Sequence, residues 1–170
     1  MKKRGYIAVA VALVVLVAAV FILLKLNAPK TELLSGSISI VKDGAVIRTF
    51  TMEEITAMPY VEHFKEIVSS SSAGEKGTYR GVPLRQLLNS ADESLLPAST
   101  KVIARAQDAY VTVYSSDEVS AGDGIFIAYS RDGQSLGTLE GGGTGPFRVI
   151  LLDDEFGTRS VKYLSEIEIR

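Results

Sequence analysis

Arg148 closes the stretch Gly141-Gly142-Gly143-Thr144-Gly145-Pro146-Phe147-Arg148, and its chemistry is that of ligand capture. A fixed guanidinium offers paired donors to a planar polar edge or to a phosphate. The glycines before it, with Thr144 and Gly145 at their end, permit close backbone approach and can present amide donors. Tyr110 follows the turn Gln107-Asp108-Ala109. A tyrosine ring at the mouth of a cleft stacks on flat heterocycles, whereas Asp108 is by residue type a turn former. Each residue has a plainer reading beside this one: a surface arginine on an alternating strand, a flexible hairpin, a half-buried strand tyrosine.

Residue counts exclude much else. The chain has no cysteine, so disulfides, iron–sulfur clusters, cysteine-based zinc sites and thiolate chemistry are ruled out. The single histidine, His63, excludes a multi-histidine metal site within one chain and leaves no pattern for a Ser/His/Asp set. Beside Glu62 it is a pH-sensitive pair at most, and by default a solvated helical group. Asp117, Glu118 and Asp123 lack the spacing of a calcium loop, and Asp153-Asp154-Glu155 reads as a charged hairpin tip. Nothing singles out a carboxylate pair for hydrolysis. A net charge of −2 excludes nucleic-acid binding driven by bulk charge.

The elements that must position these residues form an α+β pattern with strands in the majority. Residues 37–41 and 46–50 alternate around Asp43-Gly44, a hairpin signal. Thr51 and Glu54 form a capping box for a helix that Pro59 ends. Apolar residues at 61, 64, 67 and 68 have helical spacing, and residues 69–77 are a polar loop. Pro83 opens a helix whose apolar face is Leu84, Leu87 and Leu88. Residues 101–106 and 110–114 are predicted strands. Ser115 and Glu118 cap a short helix that Gly122 stops, and residues 125–130, 147–152 and 160–169 complete the strands.

The N-terminus sets the expected compartment. Tyr6 to Leu24 is an uncharged, largely apolar run preceded by Lys2, Lys3 and Arg4. As a helix it covers roughly 28 Å, close to a bilayer's hydrocarbon thickness. The basic tip stays cytoplasmic and sends the rest outward. A cleaved signal peptide is disfavoured by the length of the run and by Pro29 just after the best small-residue exit. The expectation is a single-pass cell-membrane protein: a tip and retained transmembrane anchor over 1–26, a tether over 27–35 and an extracytoplasmic domain over 36–170. Residues 27–170 hold 14 basic and 20 acidic groups, net −6, which keeps the domain off anionic lipid.

Several pieces recur in an order that carries a resemblance. They are Thr51-Met52-Glu53-Glu54-Ile55, then Tyr79-Arg80-Gly81-Val82-Pro83-Leu84 with Leu87-Leu88, and Asp108-Ala109-Tyr110. Arg131-Asp132-Gly133, Gly145-Pro146-Phe147-Arg148-Val149 and the closing Val161 to Ile169 follow. Over residues 36–170 this resembles the molybdopterin-binding domain of the sulfite-oxidase-like oxidoreductases. The resemblance implies that family's strand-rich fold. It places Arg148 near a pterin and aligns Asp108 and Tyr110 with a family turn in which Ala109 replaces glycine. Tyr79 and Arg80 then border the loop where catalytic members carry a metal-ligating cysteine, here Ser69 to Ser72. Serine is a harder and far less acidic ligand, so molybdenum is not expected. Exported members without the cysteine resemble receptors for free pterins that work beside a membrane signalling protein. The expected function is therefore non-catalytic binding of a pterin-like ligand for sensing, beside a signalling or redox partner. Two alternatives stand: a ligand-free protein-interaction module, and a molybdenum-dependent oxidoreductase.

Overall fold

The computed structural model describes residue 13 and residues 16–20, 36–68 and 74–170. Thirteen of the nineteen residues of the apolar run expected to span the membrane, and all of the tether 27–35, lie outside the described residues; Leu13 and residues 16–20 are helical and exposed. Among the described residues, no helix is long and apolar enough to cross a membrane. The chain divides into two compact units, Met1–Glu32 and Leu33–Arg170. Among the described residues, every strand belongs to the second unit.

Its strands form two five-stranded sheets. In the first, β1 (Ser37–Lys42) and β2 (Ala45–Thr51) make the expected hairpin, with Asp43 and Gly44 both at positive φ in the turn. β5 (Lys101–Ala106) and β6 (Val111–Ser115) form a second hairpin. The last strand, β10 (Leu164–Ile169), inserts between β1 and β5, parallel to β1 and antiparallel to β5. The order β2-β1-β10-β5-β6 thus ties the two ends of the domain together. The second sheet holds β3 (Val61–Ile67), β4 (Glu75–Pro83), β7 (Ile125–Arg131), β8 (Gln134–Ser135) and β9 (Arg148–Leu151).

One core joins the inner faces of the two sheets. Ile38, Ile40, Val102, Leu164 and Ile167 from the first meet Val82, Ile125, Ile127, Val149 and Leu151 from the second. Short helices close its ends. α1 (Met52–Thr56) has the full capping box: Thr51 accepts from Glu54 N–H and the Glu54 carboxylate accepts from Thr51 N–H. α2 (Leu84–Ala91) buries Leu84, Leu87 and Leu88, with Pro83 at its N-cap. α3 (Ser116–Ser120) is capped by Ser115, which accepts from Glu118 N–H, but the Glu118 carboxylate pairs with Arg159 instead of returning to the cap.

Three sequence expectations fail, the smallest being that the last strand, expected over 160–169, begins only at Leu164. The segment with helical apolar spacing is strand β3, paired along its length with β4 from Val61–Gly81 to Ile67–Glu75. Its side chains alternate between a half-buried and an exposed face, and a complete ladder on a waiting edge outweighs a weak helical pattern. The polar loop ends earlier than expected, because residues 75–77 already belong to β4; Ser69 to Ala73 lie outside the described residues.

Candidate functional site

The outer face of the second sheet carries a smaller apolar cluster of Ile67, Tyr79, Phe126, Ala128, Leu136 and Ile150. Strand alternation brings the chemistry to this face. On β4, Glu75 and Tyr79 point the same way. On β9, Arg148 pairs with Ala128 of β7, itself a member of the cluster. Arg131 reaches the same face only because of a bulge. The ladder pairs Arg80 with Ser130 and Gly81 with Ala128, leaving Tyr129 over, and Tyr79 then faces Arg131. Gly81 permits this, since a Cβ there would lie 2.2 Å from the Ile127 carbonyl oxygen.

The centre of the site is ionic. Arg148 is only 2% exposed; its Nε donates to Ser160 Oγ at 3.0 Å and its Nη1 to Glu75 Oε2 at 2.6 Å. Arg131 Nη1 approaches the same oxygen at 3.4 Å, and Lys162 Nζ donates to Glu75 Oε1 at 2.8 Å. One carboxylate therefore faces three cations. Burial pushes the Glu75 pKa up, but the Lys162 and Arg148 contacts outweigh it and hold the group below the usual carboxylate value. Arg148 is enclosed, while Arg131 and Lys162 are each 40% exposed and form the open rim.

Two buried polar atoms lie in the row that ends at Arg131. His63 pairs with Tyr79, and Tyr79 with Arg131. Among the described residues, His63 Nε2 and the Tyr79 hydroxyl are buried without a hydrogen-bond partner. The Arg131 guanidinium is close enough to Tyr79 for its pKa to be raised by it, yet the two do not meet in hydrogen-bond geometry. His63 packs its ring against Phe126 at 5.6 Å between centroids. It is a strand residue beside the site, not the solvated helical group expected of it. No local signal places it, because Phe64 lies on the exposed face and breaks the alternation of apolar residues over 61–67.

The other expected site residues scatter. Arg80 alternates away from Tyr79, pairs with Glu62 at 2.8 Å and lies over the Tyr60 ring in solvent. Tyr110 donates its hydroxyl to the Thr158 carbonyl, and Asp108 accepts from Tyr110 N–H as a turn residue should. This turn meets the segment that carries Lys162 at two places, through the Tyr110 hydroxyl on the Thr158 carbonyl and the Gln107 N–H on the Tyr163 carbonyl. The glycine loop is occupied by its own chain. A Cβ on Gly143 would lie 2.3 Å from the Leu136 carbonyl oxygen, and one on Gly145 would lie 2.6 Å from the Leu136 Cβ. Thr144 donates its N–H to Leu136 and accepts from Tyr163 N–H, and Tyr163 Oη donates to the Gly143 carbonyl. Gly145 precedes Pro146 through a cis peptide bond. Glu75, Arg131, Ser160 and Lys162 are the site residues that sequence reasoning missed, Arg131 having entered it only within the motif Arg131-Asp132-Gly133.

A second cluster, of opposite sign, sits on the other side of the same segment. A cavity of about 310 Å³ is lined by Glu118, Asp123, Asp153, Asp154 and Arg159 among others. Arg159 donates to both oxygens of Asp154 at 2.8 and 2.6 Å and to Glu118 at 2.6 Å. Of the acidic residues considered for calcium, Glu118 pairs with Arg159 and Asp123 with Arg85. Among the described residues, no group of three or more histidine, aspartate or glutamate side chains could hold a metal ion.

The sequence matches the oxidoreductase molybdopterin binding domain family over residues 37–170. No curated protein matches the chain. Among solved structures, the fold is similar to the sulfane dehydrogenase SoxCD from Paracoccus pantotrophus, with a TM-score of 0.64 and 16% identity. The match covers 84% of this chain and 40% of that one, so the chain spans well under half of that relative. The residues present fit part of the group that the family's description names. Arg148, Arg131 and Lys162 suit its anionic end, and the unpartnered Tyr79 hydroxyl and His63 Nε2 suit a polar heterocyclic edge. They do not supply a thiolate for a metal, because the chain has no cysteine. With the match spanning the whole described domain and the strand-rich architecture agreeing with it, the chain belongs to the oxidoreductase molybdopterin-binding domain family.

Proposed function

We propose that this protein is a membrane-anchored, extracytoplasmic member of its family that binds a pterin-like small ligand without oxidising a substrate. Its occupancy would be read by a partner protein in the membrane. The observation that carries the ligand-binding part is Arg148, a guanidinium held 2% exposed by Ser160 and Glu75 at the floor of a cation-rimmed face. Burying an arginine is costly unless it is paired, and here its partner Glu75 is shared with two further cations, leaving positive charge to meet an anionic or polar ligand. The non-catalytic part is supported by the absence of cysteine from all 170 residues. The anchor and its orientation are supported by the apolar run Tyr6 to Leu24 and by Lys2, Lys3 and Arg4 before it.

Fluorescence titration of free pterin into the full-length chain in detergent tests the reading, with mass spectrometry of small molecules that copurify. Saturable binding that weakens at least tenfold in Arg148→Met supports it; no binding at millimolar pterin removes it. Metal analysis of protein from a molybdenum-replete host addresses the oxidoreductase alternative, and stoichiometric molybdenum would overturn the non-catalytic reading. One observation favours the interaction-module reading: Glu75 already neutralises part of the site from within. That reading predicts partner capture unaffected by Arg148→Met.

A further inference from the structure

A carboxylate that contacts three cations occupies the place an external anion would take. Glu75 offers Oε2 to Arg148 and Arg131 and Oε1 to Lys162. This is the two-oxygen, several-donor arrangement in which a phosphate or sulfate is usually held. The charges do not balance: among the described residues that meet here, three are positive and Glu75 alone answers them directly. Asp132 stands beside Arg131, but its Oδ1 accepts from Thr78 N–H and serves the β7–β8 turn.

The central cation cannot easily leave. Arg148 is enclosed and pinned by Ser160, whose hydroxyl is in turn committed to the Val149 carbonyl. Glu75 can leave. It lies at the first residue of β4, its side chain is 24% exposed, and it is paired in the ladder only with Ile67 at the end of β3. Strand ends open at lower cost than strand centres. The Tyr79 hydroxyl and His63 Nε2, buried and unpartnered among the described residues, lie on the same face. They point to a ligand larger than the carboxylate now present.

We propose that Arg131, Arg148 and Lys162 form an oxyanion site that Glu75 fills in the resting protein, and that an incoming phosphate-type group binds by displacing Glu75. This deepens the ligand-binding reading above and rests on it: Glu75 becomes the residue that selects for anionic ligands strong enough to compete with it. A neutral heterocycle gains nothing from its displacement. An anion that binds must replace a contact already made, so resting affinity is low and specificity for multiply charged oxyanions is high.

The test uses the full-length chain in detergent and inorganic phosphate as the probe, followed by phosphorus NMR at low ionic strength. Glu75→Gln keeps the side-chain size and removes the competing charge; phosphate affinity should rise about tenfold or more over wild type. Adding Arg148→Met to that variant should erase the gain. Lys162→Gln, at a partly exposed position, should weaken phosphate binding several-fold in the otherwise wild-type chain, and it keeps the test open if Glu75→Gln folds poorly. Unchanged or weaker phosphate affinity in folded Glu75→Gln, or an unaffected Lys162→Gln, overturns the proposal. Unsubstituted pterin titrated in parallel separates the two ideas. A phosphate gain without pterin binding keeps the Glu75 site and removes the pterin reading. Pterin binding without a phosphate gain does the reverse.

Discussion

Two ionic clusters flank the segment 157–162, and they are built with opposite signs. Around Glu75, one carboxylate faces three cations; around Arg159, one guanidinium faces Asp154 and Glu118, with Asp123 and Asp153 on the same cavity wall. The contact distances are alike, as short as 2.6 Å in both. Their surroundings are not. The first is floored by Arg148, enclosed by protein; the second is centred on a guanidinium 39% exposed. Water and salt screen an exposed pair to little net value, whereas an enclosed charge must be answered by its neighbours. The Arg159 pKa is raised, chiefly by its hydrogen bond to Asp154, so it stays charged at any accessible pH and acts as a strap. Ion pairs differ little in number, three around Glu75 and two around Arg159; enclosure and charge imbalance are what make one a candidate site and the other a brace.

The contrast can be broken most directly by Arg148→Met, which leaves Glu75 with less compensation and removes the donor to Ser160 Oγ, whose own bond to the Val149 carbonyl remains. It should cost about 3–4 kcal/mol in urea unfolding of the full-length chain. Arg159→Met should cost only about 1 kcal/mol in the same assay. Equal losses would abolish the distinction. Between these in size comes Gly143→Ala, expected to cost about 2–3 kcal/mol because a Cβ there meets the Leu136 carbonyl oxygen and the Gly137 backbone. It also displaces Tyr163, which bonds Gly143 and adjoins Lys162, so a near-neutral result would show that the loop yields and that the glycines serve something other than packing.

Smaller effects sharpen the comparison. Ala109 sits at φ 69° in the turn that leads to Tyr110. Ala109→Gly should relieve that strain and raise stability by about 0.5–1 kcal/mol, without altering ligand binding, since the ionic site is built from Glu75, Arg131, Arg148, Ser160 and Lys162 and not from this turn. Acid should act on the Glu75 side. Because its folded pKa is lowered, its contribution is complete above the ordinary carboxylate value of 4.5 and is lost as pH falls through the lower folded value. Glu75→Gln should therefore show a shallower loss of stability below that pH than wild type; parallel slopes would mean that Glu75 is not held by its cations.

Local signals are the legible part of this protein. The Asp43-Gly44 turn, the Thr51–Glu54 box, Pro83 before Leu84, and Ser115 before α3 each act within a few residues, so sequence spacing alone places them. The order of such pieces is enough to reveal the family resemblance, which the match over 37–170 supports. The segment 61–67 misleads because its apolar spacing admits a helix, and only the open edge of β4 makes it a strand. Arg148 is legible as a candidate, but its partners are not. Glu75 is 73 residues away from it and Lys162 87 residues from Glu75, and no local rule joins positions that far apart.

The sequence by itself determined the capped helices and tight turns, the absence of a thiolate ligand and the run of charge and apolarity at the N-terminus, because these follow from residue identity and near-neighbour spacing. Which side chains share a face was decided by the tertiary structure. The bulge opposite Arg80 and Gly81 turns Arg131 toward Tyr79, and the 157–162 segment lays Ser160 and Lys162 over β4 and β9 while aiming Arg159 the other way. Strand phase is a property of pairing, so one extra residue in a ladder moves a charge from one side of a sheet to the other.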